Sequence, residues 1–327
     1  MEAVVMGEFG GPQVLRLARF ADPQPRPGWV VIRLQASALN WHDVLVRQGK
    51  YNSPLPHVIG ADGAGVRTDT GEDVVILPSL SWGEDTSAPG PRWEILGDHR
   101  PGTYAELATV PEECVAPKPR GLSWAEAAAL PLVGATAYRA LMTRGRLRAS
   151  ESVLIIGASG GVASMAVALT AGIGASATVT SSSTSKIERA RELGAAGGVL
   201  YTDADWVDAA RDRTQGGRGF DVVLDPVGNW TDSLRCLRPG GRLVTLGANR
   251  AELAEIDIRR FYFGQYDLLG TTMGSPDDFA AILRLVADGT VAAPVVDRTF
   301  PLDDAAQAHE HLESGQGFGK VTLTHFA

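Results

Sequence analysis

The sequence predicts an α/β protein in two parts, a proline-rich and mostly β part followed by a doubly wound parallel sheet. Three observations predict it. Thirteen of the 19 prolines lie in the first 120 residues, among short apolar runs bounded by glycine and proline. Beyond residue 150, short apolar runs alternate with helical stretches, the pattern of parallel strands covered on both faces. A glycine-rich turn joins the first of those runs to an apolar helix.

In chain order, Val30 to Leu34, Val74 to Leu77 and Tyr104 to Val110 read as short strands of the first part. Near Gly121 the character changes. Ser123-Trp124-Ala125-Glu126 has the capping-box spacing, a serine followed three residues on by a glutamate, and opens an alanine-rich helix toward Ala129. Ser152 to Ile156 is a buried strand, Gly161 to Gly172 a helix, and Ala177 to Thr180 the second strand. Lys186 to Leu193 is a helix stopped by Gly194. Phe220 to Leu224, Gly241 to Leu246 and Tyr266 to Gly270 supply further strands. Pro276 to Ala287 is the last clear helix, and Val321-Thr322-Leu323 closes the chain as a strand. No repeat or low-complexity segment interrupts this order.

Composition narrows the function. The chain has 327 residues, 44% of them apolar, and a mean hydropathy near zero, as expected of a globular protein. No apolar run is long enough to span a bilayer. The start, MEAVVMGEFG, has no basic region before an apolar stretch, so a cytoplasmic location is expected. A net charge of −8 without a Lys/Arg cluster argues against nucleic acid as a partner. Two cysteines, Cys114 and Cys236, cannot make a disulfide framework or a zinc site needing three or four thiolates. Both are expected to be packed bystanders.

The chemistry is concentrated in the turn Gly157-Ala158-Ser159-Gly160-Gly161-Val162-Ala163 after Leu154-Ile155-Ile156. A turn free of side chains lets the backbone approach a pyrophosphate, and the helix N-terminus offers unpaired N–H groups and a favourable dipole. Gly157 makes the turn, Gly160 permits close approach, and Ala163 lets the helix pack against the strand. The spacing is G-x-x-G-x-x-A, and outside a βαβ unit it would be compatible with a purely structural turn. The second strand ends Thr180-Ser181-Ser182-Ser183-Thr184-Ser185-Lys186. A carboxylate there would bind the free ribose hydroxyls of NAD. Hydroxyls and a lysine suit the 2′-phosphate of NADP(H) instead. The alternative is a solvated serine loop that caps the next helix.

At these residues the chain resembles the medium-chain dehydrogenase/reductase superfamily, in its zinc-free quinone oxidoreductase-like branch. The likeness spans nearly the whole length. Ser37-Ala38-Leu39-Asn40-Trp41-His42-Asp43, His57 to Gly65, Gly102 to Glu106, Gly134 to Tyr138, Asp221 through Gly228 and Gly319-Lys320 match its signature stretches. The resemblance implies a GroES-like β domain interrupted by a Rossmann domain, with the active site in the cleft between them. The divisions are then residues 1–121, 122–271 and 272–327, the last completing the first. It places Ser182, Lys186 and Tyr201 at the 2′-phosphate, with Ser181 beside them. Thr136, Leu246, Gly247 and Lys320 fall at the cofactor backbone or nicotinamide, and Asn40 and Tyr51 beside the reactive carbon. It also implies a homodimer joined through the edge strand at Tyr266 to Thr271.

Two departures matter. Where the superfamily's zinc enzymes carry Cys, His and Glu ligands, this chain has Asn40, Ala61 and Asp62, and the lobe from Ser81 to Pro89 has no cysteine. One carboxylate cannot make a three-ligand site, so no metal is expected. His42 and Asp43 are no substitute pair, because adjacent residues point apart. Of the two tyrosines common over the nicotinamide, only Tyr51 is present, with Leu45 at the other position. The expected activity is NADPH-dependent hydride transfer to a quinone, enone or related conjugated carbonyl. Asn40 would orient the carbonyl or the nicotinamide amide, or act as a structural bracket. Tyr51 would donate a hydrogen bond or proton, or simply pack, and the proton could instead come from solvent. The alternatives are a zinc-type alcohol or aldehyde dehydrogenase and a non-catalytic NADP-binding redox sensor or structural protein. Loops around Tyr51, Trp93, Phe261 and Met273 would shape the pocket.

Overall fold

The computed structural model describes residues 1–24, 26–249 and 251–325. Chain contacts divide it into two units, Met1–Val133 with Gly274–Leu283 and Ala293–Ala327, and Gly134–Met273 with Arg284–Ala292.

The first unit opens with β1 (Glu2–Met6), β2 (Leu15–Arg19) and β3 (Trp29–Ala38). In β3, Val30, Ile32 and Leu34 are buried at alternate positions, each contributing about 1.5–3 kcal/mol. The strand continues past the apolar run because small residues, Ala36 to Ala38, keep its far end buried. Helix α1 (Trp41–Arg47) follows directly, then β4 (His57–Val58), β5 (Asp62–Arg67), β6 (Asp73–Ile76), β7 (Ser79–Leu80), β8 (Glu94–Ile95), β9 (Leu107–Pro111) and β10 (Val115–Pro117). Helix α2 (Trp124–Ala129) has the expected capping box, with the Ser123 hydroxyl accepting from the Glu126 amide and the Glu126 carboxylate accepting from the Ser123 amide. Its Ala127, Ala128 and Ala129 are fully buried, and the helix packs on β3 and β5. Residues 122–133 therefore group with the first unit, although the sequence assigned them to the second. A capping box marks where a helix begins but not which sheet its alanine face meets.

Helix α3 (Pro131–Tyr138) leads into the second unit, where β11 (Ser152–Ile155), α4 (Gly161–Gly172), β12 (Ser176–Ser181), α5 (Thr184–Glu192), β13 (Gly197–Leu200), α6 (Trp206–Arg211), β14 (Phe220–Asp225), α7 (Trp230–Cys236), β15 (Leu237–Thr245), α8 (Ile258–Phe263) and β16 (Asp267–Gly270) alternate. Six parallel strands take the order β13-β12-β11-β14-β15-β16. Central β11 buries Val153, Leu154 and Ile155 completely, as a strand covered on both faces must. Chain order reverses between β11 and β14, which makes the C-terminal ends of those strands the place where such a sheet binds ligands.

The chain then contributes α9 (Pro276–Ala287), β17 (Val296–Pro301), α10 (Ala305–Glu313) and β18 (Lys320–Thr324). In the first unit, β18 inserts between β17 and β3, in the order β10-β6-β5-β3-β18-β17 with β9 also on β3. Residues 320–324 thus lie against residues of β3, so this sheet cannot close until β18 has been made. A GroES-like β unit and a Rossmann unit make up the molecule.

Candidate active site

Two groups of predicted residues are assembled, one in each unit. In the first unit, Asn40 ends the approach to α1, Asp62 begins β5 and Lys320 begins β18. The Lys320 ammonium donates to Asn40 Oδ1 at 2.5 Å and to Asp62 Oδ2 at 3.0 Å, and Asn40 Nδ2 donates to the same Asp62 oxygen at 3.0 Å. An ammonium can only donate and a carboxylate only accept, so its partners fix which way the Asn40 amide faces. The other Asp62 oxygen accepts from the Leu132 amide at 2.8 Å. All three side chains are buried, and each charge meets its opposite.

Behind them Asp43 accepts from the amides of Asn40 at 2.7 Å and Ala61 at 3.1 Å, which pins the start of α1 to the turn before β5. Burial pushes its carboxyl up to about 6, against the opposing pull of His42, the Asn40 amide and Lys320. His42 turns the other way, its Nε2 lying 2.5 Å from Asp98 Oδ1. The adjacent pair does point apart. Tyr51, 37% exposed, sets its ring edge-on to the His42 ring, with centroids 4.6 Å apart and planes at 64°. Its phenol is pushed up by burial and by the charge of Asp98. Among the described residues no group of three or more His, Cys, Asp or Glu is placed to hold a metal ion.

In the second unit, most of the remaining predicted residues gather at the C-terminal ends of strands. Gly157 to Ala163 follow β11, Ser181 ends β12 with Ser182 next, Tyr201 follows β13, and Leu246 and Gly247 follow β15. Gly157 has φ +94°, a conformation that favours glycine, and its amide donates to the buried Thr180 hydroxyl at 2.9 Å. A side chain of β12 therefore holds the turn that follows β11, a tie that the sequence reading missed. Gly160 is the N-cap of α4. A Cβ on Gly157 or Gly160 would meet nothing within 4 Å, so the space over the turn is open. Gly247 differs, since a Cβ there would lie 2.2 Å from the Pro226 carbonyl oxygen, and packing alone explains that glycine. Val162 and Ser159 are half-buried, and Ala163 is buried on the strand side of α4.

The serine turn is tied through backbone and side chain. The Ser183 amide donates to Ser181 Oγ at 3.1 Å, the Tyr201 amide to the Ser181 carbonyl at 3.0 Å, and the Ser183 and Ser185 hydroxyls share a hydrogen bond of 2.7 Å. Lys186 stands in the first turn of α5, and Ser182 and Tyr201 are exposed. Thr136 is on α3, and its buried hydroxyl has no hydrogen-bond partner among the described residues. An open, side-chain-free turn at a helix N-terminus, together with that orphaned buried hydroxyl, fits a nicotinamide dinucleotide. Cys114 and Cys236 lie elsewhere, buried and free, with burial pushing both thiols up to about 12.

A GroES-like β unit and a Rossmann unit with this turn define an oxidoreductase that uses a nicotinamide cofactor. Comparison with known proteins narrows the class. Residues 26–120 match the family described as alcohol dehydrogenase GroES-like domain, and residues 193–323 match zinc-binding dehydrogenase. The chain is 30% identical to quinone oxidoreductase of Rattus norvegicus, over 99% of this chain and 97% of that one. It is 31% identical to the chloroplastic NADPH-dependent alkenal/one oxidoreductase of Arabidopsis thaliana, over 99% and 79%. A crystal structure of an NAD-dependent alcohol dehydrogenase superposes with a TM-score of 0.94 at 39% identity, covering 99% of each chain. The chain belongs to the medium-chain dehydrogenase/reductase superfamily, in its quinone oxidoreductase-like branch. Among the described residues no helix is long and apolar enough to cross a membrane.

Proposed function

We propose that the protein reduces quinones, enones or related conjugated carbonyls with NADPH and without a metal. The observation that carries this reading is the Asn40–Asp62–Lys320 cluster. The one carboxylate left among the family's ligand positions is bound to an ammonium, an asparagine amide and a backbone amide. A carbonyl that is part of a conjugated system spreads the charge it gains, so it needs hydrogen bonds rather than a Lewis acid. When bound, the reduced nicotinamide supplies the hydride. Asn40 and Asp62 hold the Lys320 charge in place. Tyr51 flanks the substrate. Thr136, Leu246 and Gly247 line the cofactor, whose pyrophosphate sits over Gly157, Ser159, Gly160, Gly161, Val162 and Ala163. The quinone and alkenal reductases among the relatives support this substrate class.

NADP(H) is favoured over NAD(H) by the turn after β12. Ser181, Ser182 and Lys186 can donate to a 2′-phosphate, Tyr201 stands next to Ser181 through the backbone, and no carboxylate ends the strand. A charged hydrogen bond contributes about 1.5–3 kcal/mol, or about one to two orders of magnitude in affinity. NADPH should therefore bind at least about tenfold more tightly than NADH, and the margin should narrow with salt. Lys186→Ala should weaken NADPH and leave NADH nearly unchanged in titration calorimetry. Equal loss for both cofactors would make Lys186 a residue of the fold and remove the main support for NADP.

We also propose a homodimer through β16. It is the edge strand of the six-stranded sheet, and a twofold-related copy can satisfy its open backbone groups. Light scattering at micromolar concentration should give twice the chain mass. A monomer would sink the idea.

A further inference from the structure

His42 is bound on one side only. Its Nε2 faces Asp98 Oδ1 at 2.5 Å, while its Nδ1 has no hydrogen-bond partner among the described residues. The ring is nearly buried, with 12% of the side chain exposed against 9% for Asp98. A carboxylate that only accepts keeps the hydrogen on Nε2, so Nδ1 is the nitrogen that gains and loses a proton. This is the arrangement in which a carboxylate orients an imidazole for acid–base work. His42 also sits two residues after Asn40 and edge-on to Tyr51.

We propose that His42 is the general acid of the reduction, delivering its Nδ1 proton to the substrate oxygen, with Asp98 as its positioning residue. The proposal rests on the reading of the protein as a conjugated-carbonyl reductase. For an enone, the hydride and its electron pair would leave a C–H bond of the reduced cofactor, which is thereby oxidised, and form a C–H bond at the β-carbon. The alkene π pair shifts toward the carbonyl carbon, and the carbonyl π pair ends on oxygen as an enolate. Transfer then forms the O–H bond and breaks Nδ1–H, whose electron pair stays on the imidazole. The enol tautomerises in water to the saturated ketone, losing the O–H proton and gaining one at the α-carbon. Water returns a proton to Nδ1 before the next turnover.

The surroundings favour His42 over Tyr51 as donor. Burial alone would lower the His42 pKa, but the hydrogen bond and charge of Asp98, with Asp43 behind, outweigh it and raise the value. The Tyr51 phenol is pushed further from neutrality by burial and by Asp98, which makes it the poorer acid. The other titratable groups act at one remove. His57 donates from Nε2 to the Gly97 carbonyl, 2.8 Å away, and is lowered by burial, while the carbonyl bond and Asp98 raise it and His99 adds a further lowering.

The test is kcat against pH for wild type, His42→Gln, Asp98→Asn and Tyr51→Phe with an enone and NADPH. It is joined to a histidine NMR titration and to NADPH binding by fluorescence. In wild type, kcat should fall as pH rises through the raised His42 pKa. His42→Gln should lose about 100-fold in kcat, keep its NADPH affinity and lose that alkaline limb. Asp98→Asn should move both the limb and the His42 NMR titration to lower pH. Tyr51→Phe should keep the limb. If His42→Gln retains wild-type kcat with the same limb, the acid is solvent or Tyr51 and the proposal is overturned while the reductase reading stands. Wild type that reduces neither enones nor quinones with NADPH overturns the reductase reading, and the acid role with it. Loss of NADPH affinity in His42→Gln, matching its loss of kcat, would show a role in binding and also overturn the proposal.

Discussion

Lys320→Met is expected to lower stability by about 3–5 kcal/mol, because it leaves the Asp62 carboxylate charged, buried and without its cation. Lys320 is 3% exposed and Asp62 is fully buried, so water cannot replace the ammonium in the folded protein. Total stability of a protein is usually about 5–15 kcal/mol, so the variant should melt far below wild type or fail to accumulate. The double variant Asp62→Asn/Lys320→Met should recover much of the loss, since an amide carries no charge to strand and can still accept from the Leu132 amide. Thermal melts of the two variants beside wild type decide it. If Lys320→Met melts with wild type, the cluster is not the strut that its hydrogen bonds imply.

Gly160→Asp should separate folding from cofactor binding. Gly160 has an ordinary φ of −67° at the N-cap of α4, and an added Cβ would meet nothing within 4 Å. Aspartate caps a helix better than glycine by a few tenths of a kcal/mol, so the melting temperature should hold or rise slightly. The same carboxylate would fill the space proposed here for the pyrophosphate and turn an anion-binding helix end against an anion. NADPH affinity should fall at least about 100-fold, which is about 2.8 kcal/mol. Gly157→Ala makes the contrast, because at φ +94° any side chain is strained and stability should fall as well. Calorimetric titration with NADPH and a thermal melt read both effects. Undiminished NADPH binding by Gly160→Asp would remove the turn from the cofactor site.

The glycine turn, the capping box at Ser123 and the bounds of α4 and α9 were all legible in the sequence. Each depends on residues within a few positions of one another, where backbone sterics, caps and apolar periodicity act directly. Local pattern was less reliable where several neighbouring residues offer the same signal. The sequence starts the helix after β12 at Lys186, whereas α5 starts at Thr184 with Ser183 as its N-cap, since several neighbouring serines offer the same capping chemistry.

The sequence by itself determined the two-part architecture, the alternation of strands and helices, the glycine turn and the missing ligand residues at Asn40 and Ala61. These follow from residue type and short-range spacing. Only the tertiary structure decided which charges meet. Asp98 reaches His42 across 56 positions, and Lys320 reaches Asp62 and Asn40 across 258 and 280. The adjacent Asp43 turns instead to the amides of Asn40 and Ala61. No periodicity links residues so far apart. They meet because β18 pairs with β3, and β3 with β5, bringing the two ends of the chain into one sheet and burying side chains that must then find partners there.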